Sequence, residues 1–284
     1  MREHIHSWLS PFAARPLALG GLLLLATIVL LALLAEFIAP FGPSDIEPIN
    51  RLSPPTLSHW FGTDHFGRDT LSRVIYGSRL ALLIGIGVVA FAMATGVPIG
   101  ITSALFPKLG RILMRMVDVM MAFPSLLLAL GLIVILGQSV ANAIIAIDLT
   151  TTGRITYGVT LRLREETYVE AARSMGSGIL WLIGKHILPN MVSPLLVQAS
   201  FVFAFAQLGA AALDFLGLGA PPEVPSWGNM LAESRIYITR APWLLFFPGL
   251  MIVLTAFSLN LVGDVLRDRL DPRFREMLGN RQRK

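Results

Sequence analysis

Residues Glu165–Asn190 read EETYVEAARSMGSGILWLIGKHILPN, a polar, partly amphipathic stretch set between long charge-free apolar runs. Tyr168, Ala171, Ala172, Met175 and Ile179 recur at the three- and four-residue spacing of one helical face, while Glu166, Glu170 and Arg173 fall elsewhere on the wheel. Gly176 is placed to end that helix: without a side chain it takes the left-handed conformation of a helix C-terminus, where another residue is strained by about 1 kcal/mol. Pro189 is expected to stop a second helix before the next apolar run. The stretch reads as a cytoplasmic docking loop between membrane spans.

Composition agrees with that setting. Of the 284 residues 54% are hydrophobic and 14% charged, and the mean hydropathy is +0.68, far above that of a soluble domain. The class is an all-α integral membrane protein. The net charge of +5 invites a nucleic-acid reading, but the cations track alternate loops instead. Arg2 and Arg15 precede the first apolar run, Lys108, Arg111 and Arg115 precede the third, and Arg154, Arg162, Arg164, Arg173 and Lys185 lie in or beside the central loop. Arg267, Arg269, Arg273, Arg275, Arg281, Arg283 and Lys284 follow the last. The opposite loops balance Arg51, Arg68, Arg73, Arg79, Arg235 and Arg240 against acids. The positive-inside rule then places both termini in the cytoplasm, with no nucleic-acid partner. With no cysteine, disulfides and thiolate metal sites are excluded.

Spans of about 20 apolar residues divide the chain as follows. A cytoplasmic segment, 1–16, leads into a first span, 17–39, retained rather than cleaved because the run is too long for a signal-peptide core and no small-residue cleavage site follows. An external loop, 40–78, carries Pro43, Pro48, Pro54 and Pro55, which exclude regular helix. The second span, 79–106, holds Gly96 and Gly100 at the spacing that lets helices approach closely in lipid, with Pro98 between them expected to kink it. Third and fourth spans are expected at 112–136 and 139–156, then the cytoplasmic loop 157–190, a fifth span 191–213, an external loop 214–240 with a re-entrant segment, a sixth span 241–263 and a cytoplasmic tail 264–284.

Glu170-Ala171-Ala172, Gly176 and Leu188-Pro189 resemble the EAA signature of ATP-binding-cassette importer permeases. His186 stands where the general pattern has an apolar residue. His59 to Asp64, then Gly67-Arg68-Asp69 and Leu71-Ser72-Arg73, resemble the GTD…GRD…SR outer loop of the dipeptide, oligopeptide and nickel branch. Phe123-Pro124-Ser125, Phe215 to Gly219, Pro225 to Leu231 and Asp271-Pro272-Arg273 extend the resemblance over nearly the whole chain. It implies a type I ABC importer permease architecture with six transmembrane helices, in a multi-pass protein of the inner membrane. The implied cargo is short peptides, glutathione-like solutes, or nickel chelates and metallophores. The implied partners are a second homologous permease subunit, two ABC ATPase subunits and an extracytoplasmic substrate-binding protein. ATP and magnesium belong to the ATPases; this chain binds no cofactor of its own. In such permeases the signature loop is a coupling helix seated in an ATPase groove. That role falls here on Tyr168, Glu170, Ala171, Ala172, Met175, Gly176, Leu188 and Pro189.

The chain itself offers no site for ATP. Gly178 to Gly184-Lys185 has one residue too many for a phosphate loop and His186 where a hydroxyl should hold magnesium. The protein is therefore expected not to be an enzyme. His59 and His65 lack an adjacent ligand cluster, so no metal site is assigned. Polar residues in otherwise apolar spans make Ser125, Ser200 and Gln207 candidates for the translocation path, with interhelical hydrogen bonding as the plain alternative. Asp148 is the residue that favours a competing reading, a carrier driven by an ion gradient. It is expected to pair with Arg154, if the helix breaks at Gly153, or with a partner permease, and Arg115 with Asp118.

Overall fold

A computed structural model describes residues 16–148 and 150–270. The expected N-terminal segment up to Arg15 and the tail from Asp271, with its Asp-Pro-Arg motif, lie outside the described residues. Apart from one isolated antiparallel bridge between Thr63 and Asp69, the regular structure among the described residues is helical.

The first helix, α1 (Pro16–Leu33), breaks at Leu34 and ends in a short turn, α2 (Ala35–Ile38). The longest helix, α3 (Thr70–Leu105), begins nine residues before the expected span because the Asp69 carboxylate caps it, accepting from the Ser72 backbone N–H at 2.7 Å. Gly96 and Gly100 face α7 (Thr151–Arg164), where a Cβ on Gly100 would stand 2.5 Å from the Thr156 Cβ. The two backbones approach as closely as they do because those positions have no side chain. A last pair of long helices, α10 (Leu188–Phe215) and α12 (Trp243–Leu270), packs beside α3 and α1, with Ile28, Trp227 and Ile252 forming one buried cluster.

The expected third span, 112–136, is not one helix. It consists of α4 (Pro107–Met121) and α5 (Ser125–Leu136), bent by 98° across the three residues ending in Pro124. Proline lacks an N–H and crowds the preceding turn, so the ladder is interrupted where it stands. Nor is 139–156 continuous: α6 (Val140–Ile147) stops at Asp148, which is extended, and α7 starts at Thr151. Gly153, where a break is the condition for an Asp148–Arg154 pair, sits inside α7 against Gly96. Among the described residues, four helical stretches are long and apolar enough to cross a membrane, five if the bent pair is one crossing.

Pro189 does not stop a helix. The short α8 (Thr167–Ser174) is followed by α9 (Ile179–Leu182), which runs through a wide turn over Ile183–Ile187 directly into α10. In that turn the Leu188 N–H reaches back five residues to the Ile183 carbonyl. Such a bulge makes room for the Pro189 ring, which would otherwise clash four residues back. The Asn190 side-chain amide donates to the His186 carbonyl at 2.6 Å.

Candidate functional site

Three regions carry the sequence-predicted residues. The first is the elbow from α8 to α10. Val169 and Ala172 are buried against Leu182, which fixes α8 on α9. The opposite side of α8 is open: Tyr168 is 40% and Met175 81% exposed, and Glu170 and Ala171 are exposed beside them. Ala172 thus belongs to the inner face, while Tyr168, Ala171 and Met175 form the outer one. Sequence reading missed that Leu180 and Trp181 extend this outer surface, 81% and 49% exposed. Apolar residues directly after Gly178 in a polar loop were the available signal. Burial is the main cause, and Glu166 the lesser one, that raises the Tyr168 pKa above its usual value, so the phenol stays neutral.

Gly176 has a φ of +86°, the left-handed turn its place in the sequence predicts. The Ser177 N–H bonds the Ala172 carbonyl at 3.1 Å and closes the end of α8. His186 lies between Trp181 and Tyr168, at ring centroid distances of 4.9 and 5.7 Å. It ties α8 to the wide turn as an aromatic ring, which explains how a histidine serves at an apolar position. Leu188 and Pro189 are exposed at the start of α10.

The second region is the cap formed where the loop before α3 meets the segment after α10. His59 Nδ1 lies 2.9 Å from Asp69, and Arg68 binds Asp64 and reaches Glu233 of α11 (Trp227–Ser234) at 3.1 Å. Arg73, 1% exposed, stands 3.8 Å from both Asp64 and Glu233. The GTD…GRD…SR residues are therefore a buried ionic clamp that fastens the loop before α3 to α3 and to the segment that carries α11. Trp227 completes it, donating its indole N–H to the Val74 carbonyl at 2.9 Å over Gly77. Asp64, His65 and Glu233 converge within 4.8 Å, as metal ligands do, but Arg68 and Arg73 already neutralise the two carboxylates.

The third region is a cavity of about 600 Å³ walled by α5, α10 and the α6–α7 break. Ser125 lines it; Ser200 and Gln207 do not. The Ser200 hydroxyl donates to Leu196 within α10 and its Cβ packs on Gly263. Gln207 is buried and its amide donates to the Ala81 carbonyl of α3 at 2.8 Å, an interhelical bond. Asp148 also lines the cavity, accepting from the Thr151 N–H at 3.2 Å and the Thr152 hydroxyl at 3.4 Å. The expected pairings within the chain differ: Arg154 bonds Asp118 at 2.9 Å in place of Arg115, so it is not the partner of Asp148, and of the two expected partners of Asp148 only a group on the second permease is left. Because α6 ends before α7 begins, α7 turns Arg154 toward α4 instead.

With this geometry in place, comparisons with known proteins are specific. Residues 96–276 match the family described as binding-protein-dependent transport system inner membrane component, and residues 7–55 the N-terminal TM domain of oligopeptide transport permease C. The chain is 43% identical over 274 residues to the di/tripeptide transport system permease protein DppC of Pseudomonas aeruginosa, covering 93% of this chain and 90% of that one. It is 41% identical over 263 residues to the dipeptide transport system permease protein DppC of Alkalihalophilus pseudofirmus, covering 91% and 86%. Among solved structures, an inward-facing MetNI methionine ABC transporter chain is similar in fold, with a TM-score of 0.60 at 18% identity, covering 71% of this chain and 97% of that one.

Proposed function

The chain belongs to the binding-protein-dependent transport system inner membrane components, and from that premise we propose that it forms half the pore of an importer for short peptides, driven through α8 by separate ATPases. It is a membrane-embedded translocation subunit and not an enzyme. The named relatives move dipeptides and tripeptides, which supports short peptides as cargo. In this reading a second homologous permease completes the pore, and two ATPase subunits carrying ATP and magnesium dock below. An extracytoplasmic binding protein delivers the solute to the clamp side. The chain crosses the bilayer six times with both ends inside, the third and fourth crossings each being made by a broken helix.

The observation that carries the proposal is the outer face of α8. Tyr168, Ala171 and Met175 present an apolar strip beside Leu180 and Trp181, at the basic end of the molecule where α7 finishes with Arg162 and Arg164. A cluster of this kind outside lipid needs a protein cover. The small Ala171 lets the cover come close, and Glu170 offers a carboxylate to a basic partner residue. ATP-driven closure of the ATPases then pushes α8, and the rigid run from α9 into α10 passes that motion to the cavity wall. The chain's lack of cysteine makes the test clean. In the assembled complex, Met175→Cys should crosslink to a cysteine in the ATPase groove, whereas Ala172→Cys, on the inner face, should not. Equal crosslinking from both, or none from Met175→Cys, would remove α8 as the docking element.

A further inference from the structure

Asp148 lines the cavity at the end of the apolar helix α6 and makes no ion pair among the described residues. It follows the eight helical residues of α6, about 12 Å at 1.5 Å each, at the end away from Gln138, whose side-chain amide donates to the Gly217 carbonyl. A carboxylate at the centre of a membrane-spanning helix costs about 2.5–3.5 kcal/mol on insertion scales, so one within an apolar stretch marks a partner or a solute path. The only hydrogen-bond partners of Asp148 among the described residues are neutral, Thr151 and Thr152, and the nearby Arg154 is engaged by Asp118. The carboxylate borders both the 600 Å³ cavity and a second recess of about 270 Å³ beside Met121 and Phe123. The larger cavity is mostly apolar, with Phe201, Phe205 and Leu208 opposite. Its volume falls in the range of small-molecule sites, which combine apolar walls with a few orienting polar groups.

We propose that Asp148 is a selectivity point in the translocation path that recognises a cationic side chain of a passing peptide, a lysine ammonium or an arginine guanidinium, which Phe201 and Phe205 flank. The assignment rests on the importer reading above. A desolvated cation is drawn both to the carboxylate and to aromatic faces, whereas an anionic solute meets only repulsion there. The open lone pairs left by the two threonine contacts give the cation a place without displacing a protein partner. The bound group is released when α10, which carries the two phenylalanines, moves against the break.

The experiment is ATP-coupled uptake by the complete complex in proteoliposomes, using tripeptides with a central lysine, alanine or glutamate. For the wild type the lysine peptide should be taken up fastest once rates are corrected for affinity of the binding protein. Asp148→Asn should reduce lysine-peptide uptake about tenfold and glutamate-peptide uptake little; Asp148→Glu should keep the order, and Asp148→Lys should reverse it. Assembly of each variant complex is checked by size-exclusion chromatography. An equal fall for all three peptides would overturn the proposal and identify Asp148 as the partner of a cation on the second permease. Unchanged rates would overturn it too. A wild-type complex that imports none of the three with ATP would overturn the importer reading itself.

Discussion

Substitutions at Gly176 load strain into the link between α8 and α9 and nowhere else. The residue has a φ of +86°, and a Cβ built on it meets no atom within 4 Å. The cost of a side chain is therefore backbone cost alone: about 1 kcal/mol for Ala, less for Asn, which tolerates the left-handed region, and at least ~2 kcal/mol for the β-branched Val. A penalty of that size lowers the population of the native turn about 30-fold. Because, among the described residues, α8 is held to α9 by the small cluster of Val169, Ala172 and Leu182, by His186 and by the Ser177–Ala172 backbone bond, the elbow has little else to restore its angle. Peptide transported per ATP hydrolysed should fall in the order Gly, Asn, Ala, Val in reconstituted complexes. Membrane insertion and peptide binding by the external protein should stay unchanged. Wild-type transport and hydrolysis in Gly176→Val would refute the idea that this turn transmits the motion.

Gly100→Val should force α3 and α7 apart, since a Cβ there comes within 2.5 Å of Thr156, and cost about 1–3 kcal/mol in thermal unfolding in detergent; an unchanged transition would contradict the close contact. Trp227→Ala removes a buried ring and its bond to Val74, a loss of about 3–5 kcal/mol, and should expose residues 214–240 to protease, whereas wild-type resistance would mean the clamp holds without it. Burial, outweighing the pull of Asp64 and Glu233, lowers the His65 pKa. Its protonation therefore opposes folding: the clamp keeps its stability above the ordinary value of about 6.5 and loses it as pH falls from there toward the folded-state value. Hydrogen-exchange protection across residues 59–73, corrected for the intrinsic rate, should fall between pH 7 and pH 5 and fall less in His65→Gln, and equal protection at both pH values would contradict the coupling to His65.

The sequence was most informative where one residue decides one local geometry. Gly176 announces a left-handed turn, and the spacing of Tyr168, Ala171 and Met175 announces a face, because both follow from the backbone alone. Gly96 and Gly100 announce a close helix contact but not its partner, since nothing local marks Thr152 and Thr156 as the surface they meet. Breaks were harder. Pro124 was visible, yet a proline can kink or stop a helix, and only packing decides that α4 and α5 bend by 98°. Pro189 went the other way, absorbed by a wide turn whose extra residue has no signature in composition. Asp148 was conspicuous as a charge in an apolar run, but its role depended on which carboxylate Arg154 chose, and Asp118 lies on another helix. The outer clamp shows the same limit: Arg68 and Glu233 are 165 residues apart, and their pairing exists only once α11 folds back over α3.

Uptake of a radiolabelled tripeptide into proteoliposomes containing the chain, its second permease and both ATPases, with the binding protein added outside, tests the account most directly. Accumulation should require ATP and the loaded binding protein, survive collapse of the proton gradient, and be lost in Glu170→Lys while the complex still assembles around the clamp. Uptake that follows the proton gradient without ATP, and is abolished by Asp148→Asn instead of Glu170→Lys, would contradict it.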